Sequence, residues 1–255
     1  MRAKGMTNKT PRTKTAPRKG SSCGPLIWER ISQRPAGESP SITVERIVRA
    51  ATRLADREGV EKISMRSLAS ELGCGVMSVY HYVPSKADLL DLLLDAAMGG
   101  VELPEQPSGD WRADLHTVGV RTRACLKRHP WLTGLLHSRP AFGPNRLAQF
   151  EFSLAAVAGL GLDIATMHRM VASVFVYTMG FVMLELSEAE ALRRARYGKS
   201  KAVPPYIRRL IATGAFPHLE RLLRESDGPP TGDATFGDGL ELVLEGMAAL
   251  LKPSR

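Results

Sequence analysis

The chain has 255 residues, 44 % of them hydrophobic and 24 % charged, with a formal net charge of +9. That balance excludes a largely disordered protein, and the length allows one large domain or a small domain joined to a larger one. The three cysteines, Cys23, Cys74 and Cys125, are odd in number and form no CxxC pair, which excludes a disulfide framework and a zinc site built on them.

The positive charge is concentrated at the start. Residues 1–40 hold nine Lys/Arg against Glu29 and Glu38, a net of +7. Rich in Pro, Gly, Ser and Thr and without apolar periodicity, this segment reads as a flexible basic arm whose field favours a polyanion such as DNA or an anionic membrane surface. A merely solubilising tail is the alternative. No apolar run suited to a secretory signal lies between Met1 and Pro25, so a cytoplasmic location is expected.

Helical signals begin at Ser41. Thr43 is a suitable N-cap, and Ile47, Val48, Ala51, Leu54 and Ala55 recur on one helical face until Gly59, predicting a helix over 44–58. Ser64 can cap a second, two-turn helix with Met65, Leu68, Ala69 and Leu72 inward, closed by Gly73. A third short helix follows in VMSVYHYV and ends at Pro84, which a helix interior does not accept. Ser85 with Asp88 three residues later is a capping box for a fourth helix through Leu89, Leu90, Leu93, Leu94 and Ala97, stopped at Gly99-Gly100. Two short helices joined by a Gly-containing turn have the outline of a helix-turn-helix.

The remainder is helical with no strand alternation. Helices are predicted over 111–128, after Pro130, and over 146–160, 163 to about 196, 216–224 and 238–251. The fold class is all-α. The helix from Asp163 is apolar on two stripes, including fifteen uncharged residues from Met170 to Leu184, fewer than the roughly 20 a bilayer span needs. The last helix carries Phe236, Leu240, Val243, Leu244, Met247, Leu250 and Leu251 on one stripe, with Gly239 and Gly246 seven apart. Both helices suit either a buried core or a dimer interface. Neither GxSxG, GxxxxGK[ST] nor HExxH occurs, so an enzyme is not expected.

The stretch ITVERIVRAATRLADREGVEKISMRSLASELGCGVMSVYHYVPSKADLLDLLLDAA, Ile42 to Ala97, resembles the DNA-binding domain of the TetR family of bacterial transcriptional regulators from end to end. Further on, DWRADL, FPHLERLL and FGDGLELVLEGMAALL are similar to the tetracycline-repressor-like effector domain. The resemblance implies three parts: a basic arm over 1–40, a helix-turn-helix domain over 41–100 and a larger helical effector-binding and dimerisation domain over 101–255. It implies a cytoplasmic homodimer that binds palindromic operator DNA and releases it when a small effector shifts the fourth helix. Repression is what most of the family does. An activator of the same fold, or a non-specific DNA-packaging protein, is the alternative. No membrane partner and no cofactor are implied.

Carried onto this chain, the resemblance gives Arg66, Val76, Met77, Ser78, Tyr80, His81, Tyr82 and Lys86 as DNA-binding residues. Met77 and Ser78 fall at the start of the recognition helix, where a thioether meets a thymine methyl and a hydroxyl donates or accepts. Tyr80 offers a phenol to a phosphate, His81 reaches a base or the backbone, and Lys86 sits at a helix N-terminus that already favours an anion. The Arg66 fork suits guanine, with an ion pair to Glu71 as the alternative, while Val79 and Val83 point inward. Residues 41–100 nevertheless carry seven Lys/Arg against eight Asp/Glu, so the attraction to DNA is assigned to the arm.

For the effector, size and chemistry between Trp111 and Leu186 give Trp131, His137, Phe142, Phe150, Met167, Phe175, Tyr177 and Met179. Few charges stand near them, which favours a mainly apolar or aromatic ligand with one or two hydrogen-bonding groups. His168 reads as a core or interface residue, and the histidines do not cluster at metal-ligand spacing, so no metal site is expected.

Overall fold

The computed structural model of the chain describes residues 26–33, 42–139, 143–193, 205–225 and 231–251. The chain divides into two compact units, residues 1–34 and 35–255. In the first, a six-residue helix α1 (Ile27–Ser32) closes with the Ser32 hydroxyl donating to the Glu29 carbonyl. It is too short to declare itself by periodicity, and the rest of the expected basic arm lies outside the described residues.

The second unit opens with α2 (Val44–Glu58), α3 (Met65–Leu72), α4 (Val76–Tyr82) and α5 (Lys86–Met98). Local chemistry sets these boundaries. Thr43 Oγ1 accepts the Arg46 amide at 3.2 Å, and Gly59, at φ 90°, carries the chain out of α2 where a side chain would be strained. Ser64 and Ser67 cap α3 reciprocally, and Gly73 adopts the left-handed conformation while the Cys74 amide returns to the Ala69 carbonyl. At α5, Ser85 Oγ accepts the Asp88 amide, but the Asp88 carboxylate takes the Ser85 hydroxyl at 2.6 Å.

Six further helices follow: α6 (Trp111–Arg128), α7 (Leu132–Ser138), α8 (Pro144–Ala158), α9 (Ile164–Arg193), α10 (Pro205–Leu210) and α11 (Pro217–Glu225), of which all but α10 keep to the expected spans within a few residues. The short α10 is new, as is a π-helical turn at Ile211–Ala215 that breaks at Gly214. The last helix, α12 (Asp233–Leu250), starts five residues before the expected Asp238. The space above Gly239 is filled from outside the helix: a Cβ there would overlap Tyr177 Oη, which donates to the Phe236 carbonyl at 2.8 Å.

The main apolar cluster joins α6, α8, α9 and α12 through Leu115, Val157, Met170, Val174, Phe181, Phe236, Leu240 and Leu244. At its edge the largely buried Arg123 makes a paired contact with Glu185, at 2.5 and 2.8 Å, reaches Asp233 Oδ1 at 2.8 Å and lies over the Phe236 ring. Burial pushes the Glu185 carboxyl up, but Arg123 and Lys127 outweigh it and hold the group below the usual carboxylate range.

The other side of α9 and α12 is uncovered. On α9, Val176, Gly180, Met183 and Leu184 are exposed; on α12, Leu242, Gly246, Ala249 and Leu250 are exposed. Both sets follow the spacing i, i+4, i+7, i+8 and so form one stripe per helix. A Cβ added at Gly180 or Gly246 would meet nothing within 4 Å. By length and composition alone α9 could cross a membrane, but seven of its residues are buried, among them Met167, Met170, Val174 and Phe181.

Candidate functional site

The surface around α4 is built from its inner side. Val79 and Val83 are wholly buried and fix the helix against the unit. Their burial turns Met77, Tyr80 and His81 outward, with Met77 77 % exposed, while Val76, Ser78 and Tyr82 are partly covered. The His81 and Tyr82 rings meet edge to face at 5.2 Å. Lys86 and Arg66 are exposed at the starts of α5 and α3, and the Lys86 ammonium donates to the Glu61 carbonyl at 3.4 Å.

The alternative ion pair between Arg66 and Glu71 does not form. Glu71 is taken by two arginines of α2, Arg57 at 3.2 Å and Arg53 at 4.0 Å. Those cations are thereby directed to the body of the unit, and the outward face of α4 offers methyl, hydroxyl and ring groups with Arg66 and Lys86 beside it. The arrangement can read base edges; it carries little positive charge of its own.

A cavity of about 150 Å³ lies among α6, α8 and α9. Leu115, Val118, Val171, Val174, Phe150 and Phe175 supply an apolar wall, and Thr122, Arg146, Gln149, Ser153, His168 and Thr178 supply polar groups. Phe150 and Phe175 are therefore the expected candidates that meet here. The others are held elsewhere. Trp131 donates its indole N–H to Asp56 Oδ1 at 2.7 Å, which ties it to α2, and His137 is exposed on α7. Met167 is buried in the main cluster, Tyr177 faces α12, and Met179 does not line the cavity. Phe142 lies outside the described residues. His168 is not a core histidine: it is exposed at the cavity edge, with its ring 5.9 Å from Phe150.

The polar side of the cavity went unseen in the sequence. Arg146 Nη1 donates to Gln149 Oε1 at 2.8 Å, Gln149 Nε2 donates to Thr122 Oγ1 at 2.8 Å, and the Arg146 guanidinium stacks on Phe175 at 4.3 Å. A basic residue in the first turn of a predicted helix is electrostatically misplaced, and that was the available signal.

The first turn of α8 has no cap of its own. It is capped from α5: the buried Asp95 carboxylate accepts the Arg146 amide at 3.0 Å, the Asn145 amide at 3.3 Å and Asn145 Nδ2 at 3.0 Å. Gly143 is required beside it, because a Cβ there would overlap the carboxylate. One residue, Arg146, thus has its side chain in the cavity and its backbone bonded to the helix that follows α4.

Comparisons with known proteins agree on both halves. Residues 47–93 match the model for bacterial regulatory proteins of the tetR family, and residues 103–251 match the tetracyclin repressor-like C-terminal domain. The chain is 35 % identical to the HTH-type transcriptional repressor DrrR1 of Streptomyces coeruleorubidus, over 90 % of this chain and 86 % of that one. It is 34 % identical to an HTH-type transcriptional regulator of Saccharopolyspora erythraea, over 94 % and 98 %. Among solved structures, ActR of Streptomyces coelicolor in complex with actinorhodin is similar with a TM-score of 0.66 at 27 % identity, over 82 % of this chain and 98 % of ActR.

Proposed function

This chain belongs to the TetR family of bacterial regulatory proteins, and from that premise we propose that it is a cytoplasmic repressor, a homodimer released from a palindromic operator by a small molecule. It is a DNA-binding regulator rather than an enzyme. In this reading residues 41–100 read DNA and residues 101–255 bind the effector and dimerise. The repressor named among its relatives supports repression, and the ligand held by ActR supports a small-molecule signal.

The observation that carries the reading is the division of α4 into a buried anchor and an exposed face. With Val79 and Val83 fixed, Met77, Ser78, Tyr80 and His81 enter the major groove, Val76 and Tyr82 flank them, Lys86 takes a phosphate and Arg66 reaches a guanine. The cavity, with Phe150 and Phe175 on its wall, receives the effector. The uncovered stripes of α9 and α12 pair with those of a second copy about a two-fold axis.

Three measurements test this. Tyr80→Phe combined with Lys86→Ala removes two phosphate contacts and is expected to weaken operator binding by about 10–100-fold with dimerisation intact. A gel shift near wild-type affinity would remove these residues from the interface. Footprinting on the DNA upstream of the chain's own gene should reveal a short protected palindrome, whereas uniform coverage would favour packaging. Deleting residues 1–38 takes away a net +7 and should flatten the slope of log K against log[salt]; an unchanged slope returns the attraction to the helices.

A further inference from the structure

Among the described residues, the cavity contains a cation without a counter-ion. The Arg146 guanidinium is lodged between the Phe175 ring and the Gln149 amide oxygen, and no carboxylate lines the space around it. Asp95, whose carboxylate bonds the Asn145 and Arg146 amides, makes no ion pair with the guanidinium. His168, the other ionisable side chain of the lining, cannot supply a negative charge. Burial pulls the Arg146 pKa down, the mark of a charge that lost water and gained no opposite partner. Such a group is costly unless something pairs with it.

A second observation points the same way. Thr178, 0 % exposed, lines this cavity, and its Oγ1 has no hydrogen-bond partner among the described residues. A fully buried hydroxyl without a partner is uncommon, and here it sits in the one wall that also holds Phe175. Gly119 of α6 packs against it: a Cβ there would come to 2.9 Å from Leu240 Cδ2 and 3.5 Å from Thr178 Oγ1.

We propose that the effector of this protein is an organic acid on a compact aromatic frame, with its carboxylate or ionised enol paired to Arg146 and a second polar atom bonded to Thr178. This rests on the reading of the cavity as the effector site. An anion completes the charge balance of Arg146 through paired N–H donors, while Phe150, Phe175 and Val174 cover the ring system. It also acts on the residue whose backbone is held by Asp95, so the neutralised group and the helix leading to the reading surface are adjacent links.

The test uses matched pairs that differ only in charge: salicylate against salicylamide, and 3-hydroxy-2-naphthoate against its carboxamide. They are titrated into the full-length dimer and its Arg146→Met variant by calorimetry at pH 7.5. Wild-type protein should bind each acid about tenfold or more tightly than its amide. Arg146→Met should bring the ratio to within about twofold, and Arg146→Lys should keep part of it. Thr178→Val should weaken both members of a pair alike. Equal binding of acid and amide by the wild type, binding of neither, or a preference that survives in Arg146→Met overturns the proposal. Ala172→Trp, which fills the cavity, separates this from the underlying reading. If that variant expels amides and acids alike but no acid preference exists, the cavity stands and the acid falls; if binding is untouched by it, the cavity is not the site.

Discussion

Gly180→Glu combined with Gly246→Glu should convert the proposed dimer to monomers and lower operator affinity by about 10²–10⁴-fold, the contribution that linkage of two half-site contacts makes. The two glycines sit in the middle of the uncovered stripes, and neither has an atom within 4 Å of where its Cβ would be. Inside one chain the substitution is therefore free of clashes, and replacing a mid-helix glycine favours the helix by about 0.5–1 kcal/mol. Across a two-fold axis the same carboxylates would have to be buried against Leu242, Leu250 and Met183. Sedimentation velocity should return half the wild-type mass, with an unchanged circular dichroism melt at low concentration. A wild-type mass would move the dimer contact to another face.

Asp95→Ala carries the second large effect. The substitution strips the Asn145 and Arg146 amides of their acceptor at a part-buried helix start and leaves Asn145 Nδ2 only the Asp95 carbonyl. Stability should fall by about 2–4 kcal/mol, which for a chain of this size lowers Tm by about 5–15 °C. The functional consequence is more specific. An effector that releases the wild-type protein from its operator should still bind the variant, because the cavity lining is intact, but should release it poorly, because α8 no longer grips α5. Gly143→Ala should act in the same direction by crowding the carboxylate while leaving its charge in place. An operator-release curve superimposable on that of the wild type, in either variant, would exclude this contact as the route.

The parts of this protein that were legible in its sequence are those fixed by neighbours along the chain. Thr43, Ser64, Ser85, Gly59 and Gly73 announce helix ends because capping and left-handed turns depend on residues within four positions. The inward turn of Val79 and Val83 follows from helical spacing alone. Features set by distant partners were not legible. Trp131 has the size of a ligand contact, but Asp56, seventy-five positions earlier, claims its indole N–H. Tyr177 is claimed by the Phe236 carbonyl, fifty-nine positions later, and packs over Gly239. Arg146 and Thr178 belong to the same class: the misplaced charge at a helix start marks Arg146 as unusual, but no neighbour along the chain fixes whether it or a threonine within an apolar helix faces solvent, core or cavity.

The fit of Tyr177 over Gly239 also determines which part of the molecule can act as a hinge. The phenol enters a notch one residue wide and is bonded at its tip, so sliding α12 along α9 by a single position would drive it into the side chain of Asp238 or Leu240. Those two helices form a rigid plinth. The other side of the cavity differs, for there α8 is joined to α5 by a few hydrogen bonds to Asp95. On the proposed reading, a ligand in the cavity would move α8 against this fixed base.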